Sequence, residues 1–149
     1  MTKFKLKLLV IHGPNLNLLG TREVGVYGKL TLIALNRLCR KRAVELGTLV
    51  RFYQSNHEGK LIDVIHRNRG WAHGIVINPA ALTHYSYALR DALSAVNLPA
   101  VEVHLSDIKK REPFRKKSVV RAVCLRQISG FGPQSYLKGI EFLATHLRG

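Results

Sequence analysis

The chain has 149 residues, and its 24 lysines and arginines against 9 aspartates and glutamates give a formal net charge of +15. That length builds one domain with a full core, here residues 1–149, and the balance of 46% hydrophobic to 22% charged residues excludes a disordered or collagen-like chain. No apolar stretch approaches the ~20 residues that span a bilayer, and the opening KLLVI run is too short for a secretory signal, so a cytoplasmic protein is expected.

The charge attracts anions of every kind, from nucleic acid to small carboxylates. Aromatic residues are only 7%, however, and no basic run is interleaved with them, so a dedicated nucleic-acid surface is not expected. Cys39 and Cys124 lie far apart inside apolar patterns and read as reduced core residues.

Strand-like and helix-like periodicity alternate along the chain. Phe4 to Ile11 ends β-branched and apolar and reads as a buried strand. Thr31 to Leu46 carries Leu32, Leu35, Leu38, Cys39, Ala43 and Leu46 at helical spacing, with Gly47 as a stop. Leu49 to Gln54 is a second strand, and Glu58 to Asn68 a helix burying Leu61, Ile62 and Ile65. Gly74 to Asn78 (GIVIN) has the continuous apolar character of a central parallel strand. Tyr85 to Val96 is helical with Ala88, Leu89, Ala92, Leu93 and Val96 inward; Leu98 to His104 is the fourth strand and Ala122 to Ile128 the fifth. The polar Arg126 and Gln127 put that fifth strand at an edge, and Pro133 opens a last helix running to Leu147. Strict alternation implies right-handed crossovers, hence an α/β, flavodoxin-like, doubly wound five-stranded parallel sheet with helices on both faces.

In such sheets ligands bind beyond the carboxyl ends of the strands. The first four strands end in HGPNLN, QSNHEG, NPAALTH and EVHLSD, delivering Asn15, Asn56, Asn78, His84 and His104 to one rim. Taken singly, Asn15 and Asn56 read as turn residues; their convergence points to a site. Glu102 lies two residues before His104, on the same strand face, where its carboxylate orients the imidazole and favours its protonated form, as a general acid requires. A structural Glu–His pair is the equal alternative. GPNLNLLG matches neither a Walker loop nor GxGxxG. With no acidic cluster and His12, His57, His66, His73 and His146 scattered, no metal is expected.

The stretches GPNLNLLGTRE with Tyr27-Gly28, QSNHEG, INP with LTH, ALRDAL, VEVHLS, and REPFR with Ser118 resemble, in order and spacing, type II 3-dehydroquinate dehydratase. The resemblance runs from Leu9 to about Leu147. It implies a flavodoxin-like hydro-lyase that dehydrates 3-dehydroquinate to 3-dehydroshikimate in the shikimate pathway to aromatic compounds, through an enolate and without metal or cofactor. By position it assigns Tyr27 as the base, acting as tyrosinate, and Arg22 as the cation that lowers its pKa; desolvating the tyrosinate opposes that shift, so a second cation, Arg111, is expected to help. Asn15 matches the residue that stabilises the enolate with a bound water, His104 the general acid and Glu102 its partner. Asn78 and the backbone of Leu105 and Ser106 match the substrate-carboxylate ligands. His84, Asp91 and Arg115 match groups around the ring hydroxyls, Asp91 reaching in from a neighbouring subunit. The family's homo-oligomer, a dodecamer of trimers, is expected as well.

Residues 20–28 correspond to a lid that ordinarily carries proline after Arg-Glu; here Val24 and Gly25 intervene before Tyr27. Greater loop freedom is expected to weaken substrate affinity and leave the chemistry intact, and Val24→Pro is expected to restore that affinity. His12 stands where asparagine is commoner, and Lys116, Lys117 and Val119 also depart from the usual pattern. Two other readings remain on the residues alone: a basic nucleic-acid-binding α/β domain retaining an enzyme scaffold, and a flavin or nucleotide binder on the same fold.

Overall fold

The computed structural model describes residues 5–21, 25 and 29–149. Five strands, β1 (Leu6–His12), β2 (Thr48–Gln54), β3 (Gly74–Asn78), β4 (Ala100–His104) and β5 (Arg126–Ser129), form one sheet in the order β2-β1-β3-β4-β5. Every pairing is parallel. The helices are α1 (Leu32–Glu45), α2 (Glu58–Arg67), α3 (Tyr87–Val96) and α4 (Gln134–Arg148).

Period-two alternation along the strands sorts the core into two layers. Leu8 and Val10 face one side with Val76 and Val103, against Leu35, Cys39 and Ala43 of α1 and Tyr136, Ile140 and Leu143 of α4. Leu9, Ile11, Ile75 and Ile77 face the other, against Leu61, Val64 and Ile65 of α2 and Leu89, Ala92 and Leu93 of α3. This is the flavodoxin-like arrangement, and β1 and β3 flank its switch point, where the chain first moves outward to β2 and then returns.

Several boundaries differ from expectation. Phe4 lies outside the described residues, and β1 begins at Leu6. α3 starts at Tyr87 and not Tyr85, because the Ser86 hydroxyl accepts the Leu89 N–H and caps it. Leu38 and Ala88 point outward, being off the buried line set by Leu35, Cys39 and Ala43 in one helix and Leu89 and Leu93 in the other. The fifth strand is shorter and later than Ala122 to Ile128: residues Arg121–Val123 form a 3-10 turn, and Val123 and Cys124 pack on the core beside α3. Pairing starts when the Leu125 N–H reaches the Ala100 carbonyl. β5 is an edge strand, as its polar residues require. Both cysteines are free, with Cys39 fully buried and Cys124 half-buried.

Candidate active site at the carboxyl edge of the sheet

Beyond β1, β3 and β4 the chain leaves a pocket of about 110 Å³ over the switch point. Asn15, Asn78, His84, His104, Leu105, Ser106 and Arg115 all line it, and so does Arg111. Asp91 lies elsewhere, exposed on the outer side of α3. Arg22 and Tyr27 fall outside the described residues.

Gly13 brings the two strand ends together. Its N–H donates to the Asn78 carbonyl at 2.8 Å, and a Cβ there would lie 2.5 Å from the Pro79 carbonyl oxygen, so only glycine permits the approach. Asn15 follows with φ of 70°, a left-handed conformation asparagine tolerates better than other side-chain-bearing residues. Its N–H donates to the Asn56 Oδ1, which also accepts from Gln54 Nε2 at 3.1 Å. Asn56 does not line the pocket, contrary to the expectation from the strand endings; it braces the loop that presents Asn15.

On β4, Glu102 and His104 share a face and touch. Glu102 is fully buried and accepts three bonds: from His104 Nε2 at 2.5 Å, from the Thr83 hydroxyl at 2.6 Å and, through its other oxygen, from the Ser118 hydroxyl at 2.8 Å. Burial raises its pKa, but the bond and charge of His104 with the bonds from Thr83 and Ser118 outweigh that and hold the carboxyl below its ordinary range. A carboxylate can only accept, so Nε2 of His104 carries a hydrogen and Nδ1 is left for other partners. Sequence reasoning on the residues alone missed Thr83 and Ser118; the LTH and Ser118 motifs were its only signal.

His84 is half-buried, its Nδ1–H donating to the Lys117 carbonyl at 2.6 Å. Desolvation, with the charges of His104 and Arg115, lowers its pKa against the opposing backbone bond, which favours a neutral ring with Nε2 as an acceptor. Arg115 pairs through Nε with Glu112 at 2.8 Å, and its guanidinium lies 4.7 Å from the Phe114 ring centre. Arg111, Arg115 and the N–H groups near the strand ends make the pocket suited to an anion. Among the described residues no cluster of three or more His, Cys, Asp or Glu side chains is placed to hold a metal ion.

By fold and by the position of its pocket the chain is a flavodoxin-like α/β protein with a polar crevice at the β1/β3 switch point. The model of the dehydroquinase class II family matches residues 6–144. A 3-dehydroquinate dehydratase of Nostoc sp. is 57% identical over 144 residues, covering 97% of this chain and 98% of that one. Another, from Dictyoglomus turgidum, is 56% identical over 91% of this chain and 94% of its own length. The crystal structure of a type II dehydroquinase from Butyrivibrio crossotus superposes with a TM-score of 0.91 at 45% identity, covering 93% of this chain and 97% of that one. The chain belongs to the dehydroquinase class II family, a family of hydro-lyases.

Proposed function

We propose that this protein eliminates water from 3-dehydroquinate, the dehydration its relatives are named for, and that the product is 3-dehydroshikimate, in the cytoplasmic shikimate pathway. The observation that carries the reading is the buried Glu102–His104 pair opening onto a pocket that Asn15 and Asn78 share. A carbon next to a ketone is the acidic position of such a substrate. Tyr27, ionised beside Arg22 and Arg111, takes its proton; the electron pair becomes the enolate, whose oxygen is stabilised by Asn15 through a bound water. The enolate collapses to the conjugated enone and expels the β-hydroxyl, which leaves as water with the proton from Nδ1 of His104. His104 ends neutral with its hydrogen on Nε2, still donating to Glu102, and the proton gained by Tyr27 must return before the next cycle.

The substrate carboxylate is held by Asn78 and the N–H groups of Leu105 and Ser106, and Nε2 of His84 and the Arg115 guanidinium meet the ring hydroxyls. The route calls on no cofactor. Asp91 completes the site from a neighbouring subunit; the exposure of Tyr85 and Tyr87 beside it supports an interface on that face, within a dodecamer of trimers. The test is the ultraviolet absorbance of the enone product after addition of 3-dehydroquinate. It should grow with the parent and be nearly absent with Tyr27→Phe. A flat trace from the folded, assembled parent would sink the reading.

A further inference from the structure

Behind Asn78 a line of buried polar groups leads away from the pocket. Its hydroxyl neighbour Tyr136 is fully buried on α4 and hydrogen bonded to the Asn78 side chain. Tyr136 Oη lies 2.9 Å from Nδ1 of His12, and Nε2 of His12 lies 2.7 Å from Oδ1 of Asn36 on α1. His12 ends β1 and is itself buried. At the other side of the amide, the Ala80 N–H donates to Asn78 Oδ1 at 3.0 Å, and Ala80 is held at φ of 54°, a conformation alanine rarely adopts.

The hydrogens along this line have one consistent arrangement. Asn36 Oδ1 can only accept, so His12 Nε2 carries the hydrogen and a neutral His12 presents Nδ1 as an acceptor. The Tyr136 hydroxyl then donates to Nδ1 and is free to accept from Asn78 Nδ2. With Oδ1 already taken by Ala80, one Asn78 N–H is spent on Tyr136 and the second is left for the pocket. Burial keeps the imidazole neutral, lowering its pKa to about 4 against the smaller opposing effect of the Asn36 bond.

We infer that His12, acting through Tyr136, is a positioning residue: it fixes the Asn78 amide so that the pocket meets an N–H donor, which selects a carboxylate at that spot. The inference rests on the proposed dehydratase reading for its kinetic arm only. A flipped Asn78 would turn its oxygen toward the anion, so loss of the relay weakens binding more than it slows the chemical step.

Glutamine can replace a neutral histidine here, since its amide offers one acceptor for Tyr136 and one donor for Asn36, whereas leucine offers neither. On 3-dehydroquinate, His12→Leu and Tyr136→Phe should raise KM roughly tenfold, the scale of one hydrogen bond, with kcat changed less than twofold. His12→Gln should return KM toward the parent value. Asn36→Ala, on the half-buried face of α1, gives a second reading from a site that leaves the core intact, with KM raised a few-fold. In parallel, the side-chain amide signals of Asn78 are followed by nitrogen-15 NMR without substrate. They should move in His12→Leu and Asn36→Ala and recover in His12→Gln. Unmoved Asn78 signals, or an equal loss in His12→Gln and His12→Leu, would overturn the inference. An inactive parent would overturn the dehydratase reading, while the NMR comparison would still decide the role of His12.

Discussion

Glu102 sits beside the pocket as an acceptor of three donors, and that sets what its substitution does. Glu102→Gln replaces one oxygen with an amide N–H₂ facing hydroxyls or an imidazole N–H that also need to donate. It should lower kcat by roughly 10²–10⁴-fold, the range for a lost general acid, in steady-state assays on 3-dehydroquinate. Thr83→Val keeps the shape and removes one donor, and should destabilise the fold by about 1–3 kcal/mol in urea at neutral pH. His12 gives the clearest pH signature. Its pKa is lowered to about 4 in the fold, mainly by burial, from 6.5 when unfolded, so between those values the unfolded chain binds a proton the folded chain refuses. Its contribution is therefore fully present above pH 6.5 and lost as pH falls toward 4, about 3 kcal/mol in all. Urea midpoints at pH 7 and 4.5 should fall further apart in the parent than in His12→Gln. The pairing of Glu102 with His104 was legible in sequence because two residues on one strand face must be neighbours. The His12–Tyr136–Asn78 line was not, because it joins β1, α4 and β3, with His12 and Tyr136 124 positions apart, and nothing local to His12 marks it.

At the scale of elements, the site exists because β1 and β3 end side by side and close enough for a backbone bond. Gly13→Ala would drive a methyl into the Pro79 carbonyl. It should cost roughly 1–3 kcal/mol of stability, as overpacking does, and raise KM by shifting Asn15 and Asn78 together; unchanged denaturation and kinetics would refute that account. A parallel sheet covered on both faces followed from periodicity, since Leu8 and Val10 against Leu9 and Ile11 can be buried on two faces only if helices cover both; the strand order did not, because periodicity carries no information on which strands are neighbours. The fifth strand was misjudged for the same physical reason. AVCL is apolar enough to pair, yet Val123 and Cys124 are satisfied by packing near α3, and the ladder waits for Leu125. The role of Asn56 was also hidden, because a polar residue after a strand looks the same whether it faces a ligand or braces a neighbouring loop.

For the whole molecule, the charge of +15 per chain opposes self-association by like-charge repulsion and attracts anions. Mass measurement across salt concentrations should find a dodecamer of the 16.8 kDa chain that is favoured by added salt, which screens the repulsion. Tyr87→Arg, on the exposed face beside Asp91, should shift it toward smaller species and lower activity with them. Binding to nucleic acid that fell steeply with salt and survived Tyr27→Phe would instead support the competing basic-domain reading. The proposed reaction has one group remove the carbon-bound proton and another protonate the departing hydroxyl. It is tested most directly by incubating 3-dehydroquinate in deuterated water with the parent, Tyr27→Phe and His104→Ala, and following deuterium entry next to the ketone by NMR alongside product formation. His104→Ala should still carry deuterium into the recovered substrate while forming almost no product, and Tyr27→Phe should do neither. Product at the parental rate from His104→Ala, or retained exchange in Tyr27→Phe, would contradict the division of labour between the two ends of the site.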